Sequence, residues 1–233
     1  MKKHCTGRVS LSTIATTLGL AITFTFTACE EKKKQDGATA PAATETQQPS
    51  QEAAAPPPTT LTDTRDNKTY KTVKIGEQVW MAENLSYEAE GSKCYDDKPD
   101  NCKKYGRLYN WKTANEVCPN GWHLPSQEEW GTLTDFFGGW RVAGKKIKAK
   151  SGWNKNSNGT DDFGFAALPG GHHDGTFTNV GNFGYWWTAS EGEGSAELTT
   201  AVYFVMYMND DSEEFADNLY DYGDLNSVRC IQN

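Results

Sequence analysis

The sequence predicts one folded domain of the α+β class, preceded by an export segment and a tether. Large aromatic residues are concentrated in the later part of the chain, because all eight Trp lie between Trp80 and Trp187. Two segments with helical spacing of apolar residues are followed there by short strand-like segments with long, Gly- and Asn-rich connections. Helices followed by several short strands are typical of an α+β domain. With 233 residues, the chain has room for one sizeable core.

The N-terminal segment predicts export and lipid attachment. Three basic residues precede an apolar, threonine-rich stretch that ends at Ala28-Cys29. A small residue directly before Cys resembles the bacterial lipobox, although Phe26 stands where Leu is usual. We therefore expect residues 1–28 to be a lipoprotein signal peptide and Cys29 to carry the lipid that holds the protein at the bacterial cell envelope, on the outer membrane and exposed at the surface. The alternatives are an uncleaved membrane anchor and an ordinary signal in which Cys29 is incidental.

Residues 29–60 predict a disordered linker, and residues 61–233 the folded domain. The segment 30–60 contains no aromatic or large aliphatic residue, so burial cannot offset the entropy lost on ordering it. Such a linker lets the domain stand away from the membrane.

The charge of the chain limits its partners. Loss of residues 1–28 removes three basic residues and no acidic residue, which changes the formal net charge from -8 to -11. Non-specific binding to nucleic acid needs a basic surface, so we expect no nucleic-acid partner.

Four cysteines remain once Cys5 leaves with the signal and Cys29 carries lipid: Cys94, Cys102, Cys118 and Cys230. An even number in an exported domain favours two disulfides, with three possible connectivities. Cys94 and Cys102 flank a polar turn and are the natural local pair, which leaves Cys118 with Cys230. A zinc site is the alternative, but the spacings lack paired CxxC or HxxxH elements.

The early part of the domain predicts a hairpin and two helices. Residues 71–80 alternate around Gly76 as a hairpin does. Residues 109–117 have helical spacing and stop at Pro119-Asn120-Gly121. Ser126 and Glu129 have the spacing of a capping box, and Trp130, Leu133 and Phe137 follow at helical intervals.

The later part predicts strands. Residues 142–149 (VAGKKIKA) indicate a strand pair or ribbon, with Lys145, Lys146, Lys148 and Lys150 on its exposed face. Residues 201–208 (AVYFVMYM) are the most apolar run and predict a central strand. Residues 227–232 (SVRCIQ) predict a final strand held by Cys230.

Seven motifs in order resemble one protein family. They are IGEQVWMAENL, YGRLYNW, CPNGWHLPSQEEW, AGKKIKAKSGW, GTDDFGFAALPGG, YWWTAS and SVRC. They are similar to the Fibrobacter succinogenes major paralogous domain family over about residues 69–231. The segment from Trp111 to Ser126, with Cys118 and His123, resembles the two-helix signature of C-type lectin-like domains. The resemblance implies a C-type lectin-like fold, with two helices packed on short antiparallel strands and long loops. It also implies a disulfide between Cys118 and Cys230, and it implies no settled biochemical role.

The motif GWHLPSQEEW also resembles formylglycine-generating and sulfatase-modifying proteins. Their oxidative chemistry uses a reactive cysteine pair near the C-terminal end. Here Cys230 is the only cysteine after Cys118, and the fold needs it. We therefore expect the protein not to be an enzyme.

A carbohydrate site needs an exposed aromatic face for the sugar ring and polar groups for its hydroxyls. The long-loop region offers both. The candidate ligand-binding residues are Trp140, Trp153, Asn154, Asn156, Phe177 and Tyr185, with Asn158 and Asp161 as further polar candidates. Trp153 and Tyr185 have an alternative role as core residues.

Residues 191–224 hold ten acidic residues and no Lys or Arg. Their spacing matches no EF-hand loop, so a solvated face is favoured over a calcium site. Asn209-Asp210 follows Met208, without the Trp of the lectin-type Ca²⁺ motif. His172-His173-Asp174 reads first as a turn, with metal binding as the alternative. We expect no metal and no cofactor.

These observations predict a lipid-anchored binding module for polysaccharide or for a partner protein at the cell surface. The alternatives are a structural surface protein without a small ligand and an enzyme of the sulfatase-modifying kind.

Overall fold

The computed structural model describes residues 59–192 and 202–233, with the side chains of residues 202–206 left out of that description. The signal peptide, Cys29 and the linker up to residue 58 lie outside the described residues. The first strand begins at Thr59, two residues before the predicted start of the domain.

The described residues form thirteen short strands and four α-helices. The strands are β1 Thr59–Thr62, β2 Thr69–Ile75, β3 Gln78–Met81, β4 Ser92–Lys93, β5 Leu108–Tyr109, β6 Trp122–His123, β7 His172–His173, β8 Phe177–Thr178, β9 Phe183–Glu191, β10 Val202–Asn209, β11 Ala216–Asp221, β12 Asn226–Ser227 and β13 Ile231–Gln232. The helices are α1 Pro99–Tyr105, α2 Trp111–Glu116, α3 Gln127–Phe136 and α4 Trp140–Ile147. Single 3-10 turns span Tyr95–Asp97 and Asn154–Asn156.

The strands form three sheets. A five-stranded sheet has the order β1-β2-β3-β13-β6, and a six-stranded sheet has the order β11-β10-β9-β12-β5-β4. The pair β7-β8 forms a small third sheet. All pairs are antiparallel except β9 with β12. The predicted α+β class is confirmed.

The hairpin and both predicted helices are confirmed, the first as α2 over Trp111–Glu116. Strands β2 and β3 pair antiparallel around Gly76, whose φ of 60° is the left-handed conformation that the turn requires. The Ser126 side chain accepts a hydrogen bond from the Glu129 amide, and the Glu129 carboxylate accepts one from the Ser126 amide at 2.8 Å. This capping box starts α3 and turns Trp130 and Leu133 into the core, where both are fully buried.

The ribbon predicted for residues 142–149 is wrong, because residues 140–147 form helix α4. Ala143, Gly144 and Ile147 fall on one helical face and are buried there. Gly144 lies directly against the backbone of the loop before β11, where an added Cβ would stand 2.5 Å from the Glu213 carbonyl oxygen. The pattern VAGKKIKA fits either period, and this close tertiary packing decides in favour of the helix.

Two further predictions need correction. The polar turn expected between Cys94 and Cys102 contains a helix, α1, with Pro99 at its first position. The final strand expected over residues 227–232 is divided into β12 and β13, which lie in different sheets. Residues 202–208 of the predicted central strand are confirmed as an interior strand, since β10 pairs with β9 on one side and β11 on the other, and residue 201 lies outside the described residues.

Both predicted disulfides are present. Cys94 bonds to Cys102 with their Cα atoms 5.0 Å apart, and Cys118 bonds to Cys230 with their Cα atoms 5.9 Å apart. The second bond joins the end of α2 to the segment between β12 and β13. It therefore ties the last residues of the domain to its middle.

Buried aromatic rings pack together in two clusters of the core. Trp80 and Trp130 have ring centroids 4.6 Å apart and lie in one cluster with Trp186. Tyr109 and Trp187 belong to a second cluster that includes Cys230. Burial of these large rings supplies much of the apolar area that stabilises the fold.

Candidate functional site

A cavity of about 610 Å³ opens between the β2–β3 hairpin, the end of α1 and the loop that follows Thr160. Its volume lies in the range of about 300–1,000 Å³ that is usual for small-molecule sites. Its wall combines aromatic, amide and charged side chains. The lining residues are Lys68, Tyr70, Lys71, Thr72, Val73, Ala82, Glu83, Asn84, Cys102, Lys103, Lys104, Tyr105, Gly106, Lys150, Asp161, Asp162, Phe163, Gly164, Ala166 and Leu168.

The floor of the cavity is organised by Asn84, which follows β3 and is 6% exposed. Its Nδ2 donates to the Tyr105 carbonyl at 2.8 Å and to Ser227 Oγ at 3.3 Å. Its Oδ1 accepts hydrogen bonds from Trp186 Nε1 at 2.9 Å and from the Arg229 guanidinium. One side chain therefore joins α1, β9 and β12 under the cavity, which makes the floor rigid.

Three aromatic residues line the cavity: Tyr70 and Tyr105 are 1% and 8% exposed and form its inner side, whereas Phe163 is only half-buried and keeps part of its surface accessible. The ammonium of Lys104 lies 4.7 Å from the Tyr105 ring centroid, and that of Lys68 lies 5.1 Å from the Tyr70 centroid. Burial raises the pKa of the Tyr70 phenol, so this group stays neutral at physiological pH. The Tyr70 hydroxyl also accepts a hydrogen bond from the Ser86 amide at 3.2 Å.

The conformation of the loop opposite the hairpin is fixed by a hydrogen bond within the loop and by contacts with the buried Arg229. Asp161 Oδ1 accepts the Ala166 amide at 2.8 Å, and both residues have a positive φ. Arg229 is fully buried, and its Nη1 donates to the Phe165 carbonyl. The Arg229 guanidinium also lies 4.4 Å from the Phe165 ring centroid. Burial lowers the pKa of Arg229, because the charged form loses its hydration. The left-handed conformation at Ala166 is unfavourable by itself, and these contacts fix it.

The charged side chains of the wall give the cavity a positive balance. Five lysines line it against three carboxylates, those of Glu83, Asp161 and Asp162. This balance is opposite in sign to the net charge of the chain. The arrangement suits a polar ligand that carries negative charge.

The sequence of the domain matches one known protein family. The sequence model of the Fibrobacter succinogenes major domain family matches residues 73–232. The chain belongs to this family. No curated protein and no solved structure matches the chain. All lining residues of the cavity lie inside the matched family domain apart from Lys68, Tyr70, Lys71 and Thr72.

None of the six predicted ligand-binding residues lines this cavity of the family domain. Trp140 is 48% exposed at the start of α4, with the Arg141 guanidinium 4.9 Å from its ring centroid. Trp153 and Tyr185 are each 4% exposed, so neither presents the stacking face that was expected. Trp153 Nε1 donates to the Ala167 carbonyl at 3.0 Å, which corresponds to its alternative role as a core residue.

The other predicted residues have local structural contacts. Asn154 and Asn156 lie in a 3-10 turn, and Asn154 Nδ2 donates to Asn182 Oδ1 at 2.8 Å. Phe177 in β8 packs against Tyr95 with ring centroids 5.2 Å apart. The predicted residues therefore do not converge on one site. Of the further polar candidates, Asn158 accepts the Trp153 amide, and only Asp161 lines the cavity.

The histidine pair begins a small hairpin rather than a turn. His172 and His173 form β7, and the connection to β8 follows them. The two rings face different neighbours, since His172 packs on Tyr185 at 4.5 Å and His173 on Phe177 at 4.6 Å. Burial lowers the pKa of His172, which keeps its imidazole neutral. In residues 59–192 and 202–233, no group of three or more His, Cys, Asp or Glu side chains is arranged to hold a metal.

One carboxylate of the acidic segment is buried, and a buried lysine ammonium lies against the backbone of the same segment. Asp210 is 2% exposed, and its Oδ2 lies 3.4 Å from the Lys155 ammonium. Lys148 is not on an exposed face as predicted but is 2% exposed, with its ammonium donating to the carbonyls of Asn209 at 2.5 Å and Ser212 at 2.6 Å. The described acidic residues on the surface of the segment are Glu191, Asp211, Glu213, Glu214, Asp217 and Asp221.

Sequence reasoning missed the cavity because its residues are distributed over separate segments. The lysines that line it come from β2 and the residue before it, from α1 and from the segment after α4, with no shared local pattern. Asn84 carries no sequence signal that separates it from any other loop asparagine. Across the described segments, no helix is both long and apolar enough to cross a bilayer.

Proposed function

We propose that the chain is a lipid-anchored binding module of the bacterial cell envelope, which takes a polysaccharide or a surface partner into the cavity beneath the β2–β3 hairpin. The cavity carries this proposal, because its volume and its mixture of aromatic and polar groups suit a saccharide. Two disulfides support export, since such bonds persist in oxidising compartments. The anchor at Cys29 and the position on the outer membrane rest on the sequence of the first residues.

We further propose that the family domain has a C-type lectin-like fold. The bond between Cys118 and Cys230 supports this, because it joins a helix end to the last strand region as the resemblance implies. The first strands and the last strand share the five-stranded sheet, which brings the two ends of the domain together.

The hydrogen bonds within the cavity floor favour a binding role over catalysis. Both Asn84 polar atoms and the Tyr105 carbonyl are committed to internal hydrogen bonds. Fixed groups of this kind provide shape and charge for a ligand. They are poorly placed to exchange protons with one.

Binding can be tested with the full chain in detergent on a glycan array. Asp162 is exposed at the cavity and its side chain has no hydrogen bond or ion pair with another described residue, so Asp162→Trp should fill the opening and abolish binding. The matched control is Asp135→Trp, an exposed site on α3 that does not line the cavity. Equal binding by both variants would place the ligand elsewhere.

Lipid attachment has its own test. Growth with labelled palmitate should tag the protein, and Cys29→Ala should remove the label. Retained label in that variant would overturn the anchor.

A structural surface role without a small ligand is the second candidate. An exposed apolar patch at the corner between α3 and α4 favours it, with Phe136 46%, Trp140 48% and Val142 39% exposed. Patches of this kind mark protein contacts. If this role is the main one, Trp140→Ser should weaken retention of neighbouring surface proteins while Asp162→Trp leaves it unchanged.

A further inference from the structure

We propose that the cavity selects an acidic saccharide, one that carries carboxylate groups, over a neutral saccharide of the same shape. The inference rests on the proposed binding function and adds the chemical class of the ligand.

The lysines at the cavity differ in whether a carboxylate pairs with them. Among the described residues, Lys71, Lys104 and Lys150 pair with no carboxylate, whereas Lys103 pairs with Asp100 at 2.8 Å. Lys68 donates to the Ser86 hydroxyl, which carries no charge. Four of the five ammonium groups at the cavity are therefore not neutralised by the protein.

Two of the carboxylates at the cavity accept hydrogen bonds from backbone amides. The backbone amide of Lys71 donates to Glu83 Oε2 at 2.7 Å, and that of Ala166 donates to Asp161 Oδ1 at 2.8 Å. These two carboxylates are satisfied in part by the backbone rather than by lysine ammonium groups. Each keeps one oxygen without a side-chain partner among the described residues, and such an oxygen can accept a sugar hydroxyl.

The positive charges of the lysines lie around the opening of the cavity. The lysines come from β2 and the residue before it, from the end of α1 and from the segment after α4, so they lie on several sides of the opening. Four ammonium groups without a carboxylate partner stand there against three carboxylates, so the opening keeps a small positive excess that attracts an anion. The rest of the chain is strongly acidic and repels an anionic polymer, which leaves the cavity as the favourable contact.

The chemical groups of an acidic saccharide match the groups that line the cavity. A uronic-acid unit has a carboxylate for the lysines, hydroxyls for Glu83 and Asp161 and a ring face for the half-buried Phe163. A neutral sugar satisfies only the last two groups. Burying unpaired ammonium groups beneath it costs binding free energy.

The test uses isothermal titration of the full chain in detergent with two probes. One probe is an oligogalacturonate, and the other is the same oligosaccharide with its carboxyls methyl-esterified. We expect the ester to bind about tenfold more weakly, and the affinity for the acid to fall with added salt. The double variant Lys71→Gln/Lys150→Gln should weaken binding of the acid about tenfold and leave binding of the ester unchanged.

The matched control is Lys74→Gln, because Lys74 lies on the same strand, pairs with Glu77 and does not line the cavity. Its thermal midpoint and that of the double variant should equal that of the wild type. Equal affinity for acid and ester overturns the charge inference and leaves the binding function in place. Binding of the acid that persists in the double variant also overturns the inference. Binding of neither probe, together with an empty glycan array, overturns both proposals.

Discussion

Two donors of the buried Arg229 guanidinium share one acceptor atom, Asn84 Oδ1, which lies 3.1 Å from Nε and 2.8 Å from Nη2. The same oxygen accepts Trp186 Nε1. Arg229 also donates from Nη1 to the Phe165 carbonyl. Asn84 and Arg229 therefore connect the cavity floor to the loop that forms its opposite wall.

Removal of this acceptor should be strongly destabilising. Asn84→Ala leaves the Arg229 charge and the Trp186 indole without their shared partner, and we expect a loss of about 3 kcal/mol in the free energy of unfolding. The measurement is urea denaturation followed by Trp fluorescence. Ser227→Ala is the control, because it removes only the 3.3 Å contact with Asn84 and should cost about 1 kcal/mol or less. A loss in Asn84→Ala no larger than in the control would contradict the central role of Asn84.

The two disulfides should differ in their contribution to stability. Cys118 and Cys230 are 112 residues apart in sequence and Cys94 and Cys102 are 8 apart, so the first bond restricts the unfolded chain more. On the loop-entropy model, Cys118→Ala/Cys230→Ala should cost about 4–5 kcal/mol and Cys94→Ala/Cys102→Ala about 2–3 kcal/mol. Denaturant titration of each double variant measures the difference. A larger loss from the short-loop variant would show that α1 depends on its disulfide more than the whole domain depends on the long one.

Calcium should leave the stability of the protein unchanged. The one deeply buried carboxylate of the described acidic segment, that of Asp210, already lies near the Lys155 ammonium, and Lys148 occupies the neighbouring carbonyls. The thermal midpoint should therefore shift by less than about 1 °C between EDTA and millimolar Ca²⁺, with NaCl at equal ionic strength as the control. A bound ion would stabilise the fold by mass action, about 2.7 kcal/mol at one hundred times its dissociation constant. A rise above about 4 °C that is lost in Asp210→Ala would establish a calcium site.

Local sequence signals were sufficient for some elements and insufficient for others. The capping box of Ser126 and the turn at Gly76 are determined by residues close in sequence, so the hairpin and α3 could be predicted. Helix α4 depends on contact with the backbone at Glu213, about seventy residues away, and its local pattern fits two periods. The cavity brings together segments around residues 68–73, 82–84, 102–106 and 161–168, and no local rule reports their proximity.

The buried lysine of α4's C-cap should make stability depend on pH in a defined window. Burial lowers the pKa of Lys148 to about 8, and the nearby Lys145 charge acts in the same direction. Between pH 8 and about 10, the folded chain has lost this proton while the unfolded chain, with an ordinary lysine pKa of about 10.4, retains it. The unfolded state then binds more protons, so the free energy of unfolding rises with pH, by at most about 1.4 kcal/mol per pH unit from this group.

Above about pH 10 the direction reverses, because burial raises the pKa of tyrosines such as Tyr109 and they keep a proton that the unfolded chain loses. Urea denaturation at intervals from pH 7 to pH 11 should therefore show a rise above pH 8 that Lys148→Met reduces, while Arg229, whose pKa burial also lowers, keeps its own part. Lys74→Met, at an exposed lysine, should retain the full rise. The substitution at Lys148 should also lower stability at pH 7, since the carbonyls of Asn209 and Ser212 lose their donor in a buried setting. A variant with an unchanged pH slope would show that the Lys148 ammonium stays protonated across the window, held by those two carbonyls.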